Sequence, residues 1–332
     1  MVRLVMASHT SSDGTPVESA PPYAEEDKLG PLGGKRSVID DAAELRRVLV
    51  AEFQTAADDA RAAAASVDHN ITTAVHEYRK ALRRARAVLL LVADALPKSE
   101  RRAVRLALRD ARRSLGTARD HAVASESVSL LNLDEVAQHT VHAILDTARA
   151  AVPPLVEIKQ LLNEGAARAA AQVEALEAAL PPTISWSTVV RGVRGVYEEA
   201  KRARKANRGR RSFHTWRRRT KELAYQLELL GSYTGEGFYD LQRELEGVTD
   251  TQSPPVDLIM LRDFVRTHGA GTSTEALDGL VDAIDAQIKD LMADSRKAGR
   301  DAFRRKPSRF AKKLAKAARS QPTPRPLPDN VD

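Results

Sequence analysis

Apolar side chains recur at alternating spacings of three and four along most of this chain. Val75, Tyr78, Leu82, Ala85, Leu89, Val92 and Leu96 form one such series. A stripe of that period is the seam of a helix packed in a bundle. Leu45, Val48, Leu49 and Phe53 form a second series, and Trp216, Leu223, Leu227 and Leu230 a third. No segment shows the strict apolar–polar alternation of a half-buried strand. The pattern predicts helices over 38–68, 71–96, 99–116, 121–149, 153–180, 185–206, 212–231, 236–247, 256–268, 274–293 and 296–319. Pro97, Pro153-Pro154 and Pro181-Pro182 separate the early ones, Gly209 interrupts after 206, and Gln252 to Pro255 reads as a loop. Residues 1–37 and 321–332 lack the periodicity and read as a disordered and an extended tail.

The polar positions say something the seam does not. His76-Glu77-Tyr78-Arg79-Lys80-Ala81-Leu82-Arg83 returns 138 positions later as His214-Thr215-Trp216-Arg217-Arg218-Arg219-Thr220-Lys221. A histidine, an aromatic two residues on, a basic pair beside it and a basic residue at +7 all recur. Such a period implies two similar halves, about 38–182 and 183–320. At 100° per residue, positions 76, 79, 80 and 83 share one face, opposite the seam. His214, Arg217, Arg218 and Lys221 do the same in the second copy. Arg101, Arg105, Arg109 and Arg112 add another stripe, opposite Val104, Leu108, Ala111 and Leu115.

Charge sharpens this picture. The 332-residue chain has 52 Lys and Arg against 45 Asp and Glu, a net of +7. Segments 76–113, 191–221 and 296–319 hold 36 of those cations and only 7 of the acids, so the remainder carries a net −22. Segregation of this kind builds a local positive field on an acidic body, which concentrates polyanions. The absence of cysteine excludes disulfides and thiolate metal sites. No apolar run reaches the length of a membrane span, and the N-terminus lacks a signal-peptide pattern, so a cytoplasmic protein is expected.

Other candidate chemistry is weaker. Gly33-Gly34-Lys35-Arg36-Ser37 has the wrong spacing for a phosphate loop and no strand before it. His139 and His142 stand at i, i+3 near Asp134 and Glu135, too few ligands to assign a metal. Tyr78 and Trp216 sit at seam positions and are expected in the core, whereas Tyr225 faces the basic side. Asp120 and Asp257 are expected to fix turns or to pair with arginines. No cofactor, metal site or catalytic group is expected.

The duplicated H-x-x-R-[KR]-x-x-[RK] helix, each copy followed by an Asp-containing turn, resembles the CHAD family (conserved histidine α-helical domain). Leu115-Gly116-Thr117-Ala118-Arg119-Asp120 is similar to the family's LG-x-x-RD element, with Asp120 placed 44 residues after His76. Asp257-Leu258 begins 43 residues after His214, and Tyr225-Gln226-Leu227-Glu228-Leu229 is similar to the family's aromatic-x-x-E-L. The second half departs from the pattern at Leu245-Glu246-Gly247 and at Thr251 to Pro255, and Ala224 stands where the first half has Arg86. Family members fused to a CYTH triphosphatase barrel carry an E-x-E-x-K strand. Glu25-Glu26-Asp27-Lys28 is not that pattern, and a free-standing module over 38–320 is expected.

The resemblance implies an all-α fold, two pseudo-symmetric helical bundles around a basic central groove or channel. It implies a non-enzymatic protein that binds inorganic polyphosphate and associates with polyphosphate granules. The residues expected to bind are His76, Arg79, Lys80, Arg83, Arg84, Arg86, Arg101, Arg105, Arg109, Arg112 and Arg119 on one wall. Arg202, Lys205, His214, Arg217, Arg218, Lys221 and Tyr225 belong to the other, with Arg305, Arg309 and Lys312 extending it. Arginine forks match phosphate oxygens through paired, charge-assisted hydrogen bonds. The alternative reading is a protein that binds nucleic-acid backbone, for which the same cations would serve.

Overall fold

A computed structural model describes residues 42–206, 210–234 and 236–320. The expected tails, the Gly209 interruption and the Gly33–Ser37 stretch lie outside the described residues. Among those described there are eleven α-helices, short 3₁₀ turns and no strand. The helices are α1 (Ala42–Ala65), α2 (Ile71–Leu91), α3 (Lys98–Arg113), α4 (Gly116–Ser127), α5 (Glu135–Ala148), α6 (Leu155–Ala179), α7 (Trp186–Lys205), α8 (Arg210–Thr234), α9 (Glu236–His268), α10 (Thr274–Ala302) and α11 (Pro307–Ser320).

Local chemistry sets several boundaries. Asn70 caps α2 by accepting from the Thr73 amide, and Asp134 caps α5 by accepting from the Ala137 amide. Ser273 does the same for α10 through the Ala276 amide. Each occupies one of the amides that a helix N-terminus leaves unpaired. Asp134 also explains why the single helix expected over 121–149 is two. The chain leaves α4 at Ser127, makes a 3₁₀ turn at Val128–Leu130, and restarts at the cap. The LG-x-x-RD element accordingly opens α4 instead of forming the expected turn, and Asp257 likewise lies within a helix, α9. The expected 296–319 helix is likewise split. Its first part is the end of α10, and Pro307 restarts the chain at the first position of α11, where a missing amide costs nothing.

The opposite correction applies to α9. It runs unbroken through Pro254 and Pro255, where a loop was expected. Proline normally breaks a helix because it leaves a carbonyl without its amide donor. Here the Thr251 carbonyl, which Pro255 cannot serve, accepts from the buried Ser295 hydroxyl of α10 at 2.5 Å. The donor that rescues this turn comes from a neighbouring helix.

Every seam residue named above in α2 and α8 is buried. Tyr78 points its hydroxyl at the Ala111 carbonyl (3.3 Å), and Tyr197 donates to the Arg305 carbonyl (3.1 Å) while stacking on Phe310 at 4.2 Å. Trp216 is fully buried and meets Phe213 and Phe303 edge-on. The packing partners interlock the two halves of the chain. α1 lies against α2 and α6, and α7 against α8 and α11, but α4 packs on α9 and α5 on α10. The two motif helices, α2 and α8, meet each other at the centre.

Candidate functional site

The meeting of α2 and α8 leaves a cleft of about 740 Å³. Its walls come from five helices. Arg79, Arg83 and Arg86 project from α2, Arg109 and Arg112 from α3, and Arg119 from α4. Arg211, His214, Arg217, Arg218, Lys221 and Tyr225 project from α8, while Val256, Met260 and Asp263 close the cleft from α9. Nine arginines and one lysine thus face two carboxylates, Glu222 and Asp263. So strong an imbalance in a confined volume is unfavourable unless an anion enters.

The fold holds several of these cations by giving them fixed acceptors. The Arg79 guanidinium donates to the Arg112 carbonyl at the C-terminus of α3 (3.0 Å), where the helix dipole is negative. Arg83 donates to the Arg79 carbonyl (3.1 Å), and Arg217 to the Ser253 hydroxyl (2.9 Å). Arg119 reaches the Met260 sulfur (3.0 Å) and its neighbour Asp120 (3.4 Å). Arg86 pairs with buried Glu222 (2.9 Å), which Arg219 also holds at 2.6 Å. Arg84 pairs with Glu228 at 3.1 Å and lies 5.8 Å from the centre of the Tyr225 ring. Gln226 donates to the Ala87 carbonyl (3.1 Å). These last three links fasten α8 to α2, and so fix the distance between the walls.

The acid–base behaviour of the cleft reflects this crowding. Burial drives the Arg79 and Arg112 pKa values down, and neighbouring guanidiniums, including Arg83 and Arg119, add to the fall. Burial also lowers Lys221, which is 6% exposed, to about 8. Asp257 of α9 is raised by burial, against the pull of Arg217, Arg119 and Lys221. It lies in the field of all three of those cations, whereas Asp120 forms the expected ion pair, with Arg119 at 3.4 Å.

Eleven of the expected residues line the cleft: Arg79, Arg83, Arg86, Arg109, Arg112, Arg119, His214, Arg217, Arg218, Lys221 and Tyr225. The others are placed elsewhere. His76 is half-buried on α2 outside the lining. Lys80 pairs with Glu77, and Arg84 turns away to Glu228 and Asp59. Arg101 donates to the Ala93 carbonyl just past the end of α2 (2.9 Å). Arg105 is exposed further along α3, still close enough to act on Arg86 electrostatically. Arg202 lines a neighbouring pocket, while Lys205 ends α7, Arg305 lies in the turn before α11, and Arg309 and Lys312 lie along α11, all outside the cleft lining. Arg211 was missed. It stands one turn before His214, but its counterpart 138 positions earlier is Thr73, so repetition could not reveal it. His142 lies in a separate pocket with His121 and Asp146. Among the described residues no group of three or more His, Asp or Glu side chains is placed to hold a metal ion.

An all-helical protein with a cation-lined cleft between two helices of similar motif is the class that fold and site define. A model of the CHAD domain matches residues 50–266, more than half of the sequence, and the chain belongs to the CHAD domain family. The crystal structure of the CHAD domain from the plant Ricinus communis superposes with a TM-score of 0.59, covering 83% of this chain and 96% of that one at 18% identity. That likeness is one of fold. No curated protein matches the sequence.

Proposed function

We propose that this protein binds inorganic polyphosphate in the cleft between α2, α3, α4 and α8, holding it without transforming it. One observation carries the reading: ten cations from four helices converge on a single volume that holds two carboxylates. Polyphosphate is a linear anion with no base to read, so a row of guanidiniums on rigid helices suffices for recognition. Neither carboxylate is disposed for metal-assisted chemistry. Glu222 is held by Arg86 and Arg219, and Asp263 lies beside Arg262 at 3.3 Å. The family resemblance extends the proposal to association with polyphosphate granules; no helix among the described residues is long and apolar enough to cross a membrane.

Nucleic-acid binding is the competing reading. Of the two rings in the described lining, Tyr225 is 5% exposed with the Arg84 guanidinium over it, and His214 is open. One imidazole is too little to track the bases of a single strand, which leaves duplex backbone contact as the form of this reading to test. The deciding experiment titrates the protein with polyphosphate at several salt concentrations, with duplex DNA as competitor. The logarithm of affinity should fall linearly with the logarithm of salt concentration. DNA should displace polyphosphate only at large excess. Equal displacement by DNA contradicts the proposal.

A further inference from the structure

A second pocket, of about 620 Å³, shares Arg211 and Thr215 with the cleft. Shared walls make the two volumes neighbours on one surface. The second pocket is also bounded by Glu199, Arg202 and Ala203 of α7, by Ala206 just past its end and by Ser212 of α8. From there the C-terminal turn of α7 leads directly to the basic end of the chain. Lys201 donates to the carbonyls of Arg304 (3.1 Å) and Arg305, and Arg204 reaches the Arg296 carbonyl (3.4 Å). These bonds tie the end of α7 to the turn between α10 and α11. Next, α11 buries Phe310 and Leu314 against α7 and α8, and presents Arg309 and Lys312 to solvent.

The acids along this route are already engaged. Glu199 pairs with Arg219, and Glu198 with Arg202 at 3.3 Å. The second of these pairs is exposed, and a competing phosphate displaces it at little cost. Asp301 lies within the field of Arg204. Segment 296–319 otherwise carries eleven cations in a chain whose acids are concentrated elsewhere.

We infer that the cleft is the entrance to a longer track. A polyphosphate chain that outgrows it passes Arg211 and Arg202 and continues over the exposed face of α11. This rests on the polyphosphate reading of the cleft and adds a preference for length to it. Isolated surface cations hold a small anion weakly. A chain already anchored in the cleft presents its remaining phosphates to α11 at high effective concentration, so modest contacts add to the affinity.

The test compares short polyphosphate, which the cleft accommodates alone, with long polyphosphate. Both are titrated at one salt concentration into the full chain and into the double variant Arg309→Glu/Lys312→Glu. Both positions are exposed, and a thermal melt checks that the bundle is intact. The variant should bind short chains as the parent does. It should lose about tenfold in affinity for long chains, and its salt slope for them should drop by about two. Arg202→Glu, at the junction, should give the same length-selective loss. Equal losses for both lengths, or none for long chains, overturn the track while leaving the cleft standing. Failure of the parent protein to bind short chains overturns the cleft reading itself, and the track with it.

Discussion

The two motif helices spend their charge differently. α2 sets its arginines half-buried along one wall of the cleft, each leaning on a carbonyl or on an acid from elsewhere. α8 is buried at every position from Thr220 to Gly231, including Lys221, Glu222, Gln226 and Glu228. The 138-residue offset places Glu222 at the counterpart of Arg84, and Glu228 at that of Leu90. Those two carboxylates are the groups that bind Arg86 and Arg84 of the first helix. The repeated positions supply cations to the cleft. The positions where repetition fails supply the acids that hold the walls in place.

That division can be broken at its strongest point. Glu222 is buried and is the acid paired with Arg86, so Glu222→Gln strands the Arg86 guanidinium, while Arg219 keeps Glu199. A loss of about 3–5 kcal/mol is expected, read as a lower urea midpoint. Glu228→Gln should cost much less, because Arg84 keeps Asp59 at 3.7 Å and is about one-third exposed. A larger loss at Glu228 than at Glu222 would reverse the ranking.

The placement of α2 can be probed from α7. A Cβ on Gly192 would meet the Leu90 and Leu91 carbonyl oxygens at 2.6 Å, and backbone there has nowhere to go. Gly192→Ala should destabilise by about 1–3 kcal/mol. Gly195, one turn on, has nothing within 4 Å, and Gly195→Ala should stabilise by about 0.5–1 kcal/mol through helix propensity. Equal effects at the two sites would mean that α7 does not press on the end of α2 as described.

Smaller effects come from pH. Burial raises Glu228 from 4.5 to about 7, so the folded state holds its proton more tightly than the unfolded chain does. Its contribution to stability is full below about 4.5 and is lost as pH rises through about 7. Glu228→Gln should flatten that part of the stability profile. Lys221 shifts the other way, from 10.5 to about 8. A bound polyanion favours its ammonium form, so polyphosphate affinity should fall, by less than tenfold, as pH passes about 8. Lys221→Met should remove that step. An affinity independent of pH in the parent protein would place Lys221 outside the ligand's field.

Much of this molecule was legible in the sequence. The seams of α2 and α8 announced themselves by period, and Arg79, Arg83, Arg217, Arg218 and Lys221 by repetition. What was not legible depends on neighbours distant in sequence. Nothing around Pro254-Pro255 reveals that Ser295 will rescue the helix. Glu222 and Glu228 look like ordinary surface acids until α2 is seen to cover them. The basic stripes of α3 and α11 have the same appearance, yet α3 turns Arg109 and Arg112 into the cleft while α11 lies outside its lining. The burial of Lys221 also limits what charge reversal there can test, since a glutamate would be enclosed beside Asp257.

The convergence of the walls is best tested at two exposed positions that line the cleft from different helices, Arg109 of α3 and Arg218 of α8. Affinity for short polyphosphate would be measured for Arg109→Glu, Arg218→Glu and the double variant, with thermal melts alongside. Each single change should cost about 1–3 kcal/mol of binding and the double at least their sum, with the melting temperature unmoved. A double variant that folds and still binds as tightly as the parent would contradict the account.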